Sequence, residues 1–147
     1  MKHLLLLHGA IGSSAQLKPL AEQLSDTFEV HTPDFTGHGG TGLTDAPFSM
    51  QLFADDVLSY MDDKQLDKVS VFGYSMGGYV AMYLARHYPG KIDKIATLAT
   101  KYHWDEATAA KEVQMLNPET ITRKMPAFAE TLQQRHAPAD WKQVLLK

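Results

Sequence analysis

A chain of 147 residues, 44% hydrophobic and 21% charged, has the material for one domain with one buried core, which excludes both a two-domain architecture and a disordered chain. A formal net charge of −3 provides no basic field for a phosphate backbone, so nucleic acid is not expected and a small-molecule partner fits better. The absence of cysteine removes disulfides, thiolate catalysis and Cys-ligated zinc together.

Lys2 to Leu7 is a continuous apolar run closed by His8-Gly9, the pattern of a strand buried on both faces of a parallel sheet. It is shorter than a signal-peptide core, and no stretch approaches the roughly 20 apolar residues of a membrane span, so a cytoplasmic protein with no membrane partner is expected. Ser13 and Gln16 form a capping-box pair ahead of Leu17, Leu20, Ala21 and Leu24, whose spacing predicts a helix over 14–25. Phe28 to Thr32 reads as a second strand stopped by Pro33, and Gly37, Gly39, Gly40 and Gly42 then predict a flexible loop outside the core. Ser49 is placed to cap a helix that carries Phe53, Val57, Tyr60 and Met61 on one face and ends near Lys64.

Val69 to Gly73 predicts a third strand, which runs directly into a helix with Val80, Ala81 and Leu84, ended by Pro89-Gly90. Ile92 to Ala99 predicts a fourth. Strand and helix alternate, which implies right-handed crossovers and a mostly parallel sheet covered on both faces. From Lys101 the chain turns polar, with Pro118, Pro126 and Pro138 dividing what reads as three short helices, so a boundary falls near Thr100.

Gly73-Tyr74-Ser75-Met76-Gly77 is a G-x-S-x-G sequence lying between a predicted strand and a predicted helix. A serine hydroxyl is a poor nucleophile unless it is exposed and held near a base, and a sharp strand-to-helix turn exposes it. Met76 would begin the helix and aim its N–H at the oxygen that becomes negative when Ser75 attacks a carbonyl. The competing reading of Ser75 is a simple helix cap. Gly9-Ala10-Ile11-Gly12-Ser13-Ser14 lacks the spacing of a nucleotide-binding loop. Asp34 has no carboxylates at ligand spacing, which leaves a local Asx-type role and no metal site. Tyr102, His103 and Trp104 follow the fourth strand, at the end where open α/β sheets bind ligands; they either line a pocket, as Tyr74 would, or pack the helical tail.

Three segments together resemble the α/β-hydrolase fold family in its esterase and lipase-like branch: His8-Gly9-Ala10, Pro33-Asp34-Phe35-Thr36-Gly37-His38-Gly39-Gly40-Thr41, and Gly73-Tyr74-Ser75-Met76-Gly77-Gly78. The resemblance covers roughly the first hundred residues. It implies a three-layer α/β sandwich over 1–100 and a helical lid over 101–147. It also implies an oxyanion hole from the Ala10 and Met76 amides, a cofactor-free acyl transfer on Ser75 acting on a small ester, thioester or related carbonyl, and structural roles for His8 and His38 in shaping the oxyanion turn.

The family places its acid and its histidine base, in that order, after two later strands, and neither strand occurs before Lys147. Asp105 and His136 follow the permitted order, but His136 lies in a helical segment and reads as a solvated lid histidine. Two expectations follow. The strand Ile95 to Ala99 is left as an exposed apolar edge, so the chain is either part of a longer product or a homo-oligomer through that edge. The alternative to a hydrolase is a non-catalytic or truncated ligand-binding protein that keeps the pocket without the base.

Overall fold

Four parallel strands form a single sheet in the order β2-β1-β3-β4, with β1 at Lys2–Leu7, β2 at Phe28–His31, β3 at Val69–Tyr74 and β4 at Ile92–Leu98. The structure is a computed structural model that describes residues 1–43, 47–102, 106–115, 117–137 and 139–146. β1 is flanked by β2 and β3 and needs apolar residues on both faces, which is why its sequence shows no alternation. Leu5, Leu6 and Leu7 are fully buried, each worth about 1.5–3 kcal/mol.

Leu5 and Leu7 join Val69 and Val71 beneath helix α2 (Met50–Asp63) and helix α3 (Met76–His87), whose Phe53, Val57, Met61, Val80, Ala81 and Leu84 complete the main core. Leu4 and Leu6 face the other way, against Leu20, Ala21 and Leu24 of helix α1 (Lys18–Leu24) and against Phe28, Val30 and Phe72. The result is the expected three-layer α/β sandwich. On the α1 side, however, cover is partial: a groove of about 630 Å³ lined by Leu4, Leu24, Phe28, Phe72, Ile95 and Ala96 runs along the sheet. β4 ends the sheet with Leu98 57% exposed, so the expected apolar edge is present.

Capping behaves as the sequence predicts at α2, where Ser49 Oγ accepts the Leu52 N–H at 3.0 Å. At the first helix the expectation needs correction. Residues Ser14–Leu17 form a 3₁₀ turn, with the Gln16 side-chain oxygen accepting the Ser13 N–H, and only Lys18–Leu24 is α-helical. Pro19 in the first α-helical turn has no N–H to extend the earlier turn's ladder.

The glycine-rich loop, predicted to lie outside the core, is instead part of it. Phe35, Thr36 and His38 are all buried. A buried loop needs partners for its backbone, and side chains supply them: Asp56 of α2 accepts both the Thr36 N–H and the Thr36 hydroxyl at 2.8 Å, and His8 Nε2 accepts the Phe35 N–H.

Beyond Thr100 the described residues form four helices where three were expected: α4 (Glu106–Met115), α5 (Pro118–Lys124), α6 (Pro126–His136) and α7 (Trp141–Leu146). Ile121, Ala129, Leu132 and Trp141 build a small core of their own on which Ile11 packs. Among the described residues no helix is long and apolar enough to cross a membrane.

Candidate active site

Gly73 ends the inner part of β3 because nothing larger fits: a Cβ there would lie 2.3 Å from the Gly78 amide nitrogen. Gly77 has the same constraint against the Leu7 carbonyl oxygen, also 2.3 Å away, and Gly78 against Thr100 Oγ1 at 2.0 Å. These three glycines let α3 begin directly on top of the strands. The intervening residue absorbs the bend, and Ser75 has φ 51° and ψ −117°. Such a backbone in a non-glycine residue costs on the order of 1–3 kcal/mol and persists only where its surroundings fix it.

The surroundings here are two backbone groups and one threonine hydroxyl. Ser75 N–H donates to the Leu98 carbonyl at 2.8 Å, and the Ser75 carbonyl accepts from Gly78 N–H at 3.0 Å and Thr100 Oγ1 at 2.8 Å. Ser75 occupies the N-cap position of α3 yet its side chain makes no capping hydrogen bond, so its hydroxyl does not serve as a cap. The side chain is half-buried at the elbow, neither inside a continuous helix nor packed in the interior.

The β1–α1 turn lies against this elbow. A Cβ on Gly9 would come within 3.2 Å of Ser75 Cβ and 3.3 Å of the Tyr74 ring, so glycine sets the approach of the two turns. Ala10 follows, exposed, and Met76 starts α3 on the other side of Ser75.

Ile11 then takes φ 53°. Its N–H donates to His38 Nε2 at 3.1 Å, and its carbonyl accepts from His136 Nε2 and Arg135 Nη1, both at 2.9 Å. His8 belongs to the same cluster: its Nδ1 donates to the Gly9 carbonyl at 2.8 Å while its ring lies 5.2 Å from that of His38. His38 in turn lies 5.4 Å from His136.

All three histidines are neutral at physiological pH. Burial pushes His8 and His136 below the usual imidazole range, and it pushes His38 down to about 3. Their tautomers follow from their partners. His8 donates from Nδ1 and accepts Phe35 N–H at Nε2; His38 donates from Nδ1 to the Thr36 carbonyl and accepts Ile11 N–H at Nε2; His136 donates from Nε2 and accepts Gly39 N–H at Nδ1. With both ring nitrogens engaged, none of the three has a lone pair left for Ser75.

His136 therefore differs from the solvated lid residue expected, being fully buried. The α6 helix that carries it docks on the β1–α1 turn, a contact across 125 residues of sequence that helical spacing cannot reveal. Asp34 also departs from expectation. Its carboxylate reaches out of its own loop to accept Ser14 N–H and Ser14 Oγ at 2.8 and 2.9 Å.

Tyr74 and Tyr102 are 43% and 54% exposed near the elbow, and the Tyr102 hydroxyl is 2.7 Å from Thr97 Oγ1. His103, Trp104 and Asp105 lie outside the described residues. Sequence reasoning missed Ile11, Arg135 and Thr100 as parts of this site. The single available signal was the run of small residues Gly77-Gly78, which requires something to approach α3 closely.

A parallel sheet whose third strand turns sharply on serine into a helix, beside a turn closed by buried histidines, defines an α/β-hydrolase core. The model of the alpha/beta hydrolase fold matches residues 2–142, and the chain belongs to that family. Curated relatives include an abhydrolase domain-containing protein of Schizosaccharomyces pombe, 33% identical over 96 residues, 64% of this chain and 35% of the relative. A pimeloyl-[acyl-carrier protein] methyl ester esterase of Neisseria meningitidis is 30% identical over 112 residues, 76% of this chain and 41% of that protein. A thermophilic esterase from Thermogutta terrifontis superposes with a TM-score of 0.78 at 24% identity, covering 99% of this chain and 61% of the esterase, a likeness of fold. The matches thus cover less than half the length of these curated relatives.

Proposed function

We propose that this chain carries the nucleophile of a serine hydrolase that cleaves a small ester, thioester or related carbonyl compound through an acyl-enzyme on Ser75. The observation that carries this reading is the Ser75 backbone at φ 51° and ψ −117°, at an N-cap whose side chain does no capping. A strained residue that spends no side-chain hydrogen bond on its own helix leaves its hydroxyl for chemistry.

In the reaction, Ser75 Oγ bonds to the carbonyl carbon as its proton passes to a general base other than His8, His38 and His136, and that base returns the proton to the departing alcohol or thiol. The carbonyl electron pair moves onto oxygen, where the Ala10 and Met76 amides donate to it. The tetrahedral intermediate expels the alcohol or thiol, and water then releases the acid. Removing one such amide donor typically costs about 10²–10³ in kcat. The buried histidines act at one remove. By fixing Ile11 they fix the turn that presents Ala10, which makes His38, His136 and Arg135 positioning residues. Substrate contact is assigned to Tyr74 and Tyr102, whose exposed rings support that reading.

The experiment is labelling with a fluorophosphonate, together with hydrolysis of an activated acetate ester. Wild type should label and Ser75→Ala should not; equal labelling of both would remove the proposal. A second reading, a ligand binder without turnover, is favoured by the saturation of His8, His38 and His136, none of which can accept the Ser75 proton. It predicts ligand-induced thermal stabilisation and no ester cleavage in wild type.

A further inference from the structure

The sheet carries a second cluster of ligating side chains, at the opposite half of β1 from the elbow. His3 on β1 stands directly across the register from Glu29 on β2, and His31 follows two residues later, so all three side chains leave the same face of the sheet. Among the described residues this is the single group of three whose possible ligand atoms all lie within 4.8 Å of one another.

We propose that His3, Glu29 and His31 form a binding site for one divalent transition-metal ion of the zinc class. His3 Nδ1 and His31 Nε2 are 3.2 Å apart, and the two Glu29 carboxylate oxygens lie 3.5 Å from His3 Nδ1 and 3.9 Å from His31 Nε2. Zinc bonds of about 2.0–2.1 Å in tetrahedral geometry place neighbouring donors roughly 3.3–3.4 Å apart. The three donors therefore already stand near the corners that one ion needs, and small side-chain rotations of Glu29 close the triangle.

The outer partner needed to fix a metal-binding imidazole is also present. The Tyr60 hydroxyl lies 3.1 Å from His31 Nδ1, so His31 can donate from Nδ1 and turn the Nε2 lone pair toward His3 and Glu29. Two imidazoles and one carboxylate suit zinc, copper or nickel rather than calcium or magnesium, which take oxygen ligands. His31 is buried at 9% exposure, whereas the His3 and Glu29 side chains are 32% and 58% exposed. The fourth position thus opens to solvent, for water or an exchangeable ligand.

The ion would bridge β1 to β2, a four-residue strand at the edge of the sheet. Its place in the fold makes it a clamp on that edge, separate from the chemistry at Ser75. The site was invisible in the sequence because His3 and His31 are 28 residues apart and only the parallel register unites them.

The test uses the full chain, stripped with a chelator and titrated with Zn²⁺ alone by calorimetry and thermal melting, then with Co²⁺ for the visible bands of tetrahedral coordination. One ion per chain should bind and raise the Tm. His3→Gln and Glu29→Gln alter half-exposed or exposed side chains and leave the fold intact; each should weaken binding at least about tenfold, and Tyr60→Phe by about tenfold. His87→Gln, on α3, should bind as wild type does. An unchanged melting curve with no calorimetric signal would overturn the site, and so would binding that survives His3→Gln and Glu29→Gln unaltered. In that case the 3.2 Å contact is an imidazole–imidazole hydrogen bond and nothing more.

Discussion

Ile11 and Ser75 sit on neighbouring turns with nearly the same positive φ, 53° and 51°, and the protein holds them there by opposite means. Ser75 is held by backbone: a strand carbonyl, a helix amide and one short threonine, brought close because Gly73, Gly77 and Gly78 have no side chains. Ile11 is held by long side chains that arrive from the glycine-rich loop and from α6. The first arrangement tolerates no added atom, and the second tolerates no lost one. The first contains no titratable group, and the second is built around them.

The largest way to break that contrast is to add one carbon at the elbow. Gly77→Ala must push a Cβ against the Leu7 and His8 carbonyl oxygens, at 2.3 and 2.6 Å, and should cost about 3 kcal/mol or more, read from the urea midpoint. A cost below about 1 kcal/mol would mean that α3 can retreat from β1.

Next in size is the loss of a partner at the other turn. His136→Ala leaves Gly39 N–H without its acceptor and takes one of two donors from the Ile11 carbonyl, for an expected loss of about 2–3 kcal/mol in the same measurement. If its role is positioning, the kcat for an activated ester should also fall, while fluorophosphonate should still label Ser75, though more slowly.

Acid should separate the two turns. Below about 6.5 the unfolded chain takes up protons that His38, held down to about 3, refuses in the folded state, and His8 and His136 shift in the same direction. The contribution of these three histidines to stability is therefore flat above that pH and falls as pH drops toward 3, by about 1.4 kcal/mol per pH unit for each histidine still neutral in the fold. Amide exchange between pH 7 and pH 5 should show Ile11 losing protection before Ser75. Simultaneous loss would make the two turns one cooperative unit.

The smallest expected effect has the opposite sign. Ser75→Gly relaxes φ 51° without removing any of the backbone bonds that fix the turn, so it should raise stability by about 1 kcal/mol while abolishing labelling. A destabilised variant would place the strain elsewhere.

The chain itself announced the elbow, because a strand, a G-x-S-x-G turn and a helix are local patterns whose spacing dictates their geometry. β1, α2, β3 and α3 were legible for the same reason: each buries a stripe or a run that its own residues spell out. What the sequence could not supply were contacts made across distance. His136 looks like a polar residue on a short helix until α6 is packed on Ile11, and the glycine-rich loop looks like surface until Asp56 and His8 satisfy its amides. His3 and Glu29 meet only through strand register. Local propensity sets where a backbone bends, whereas the fate of a polar side chain depends on which remote donor or acceptor the packing brings within about 3 Å.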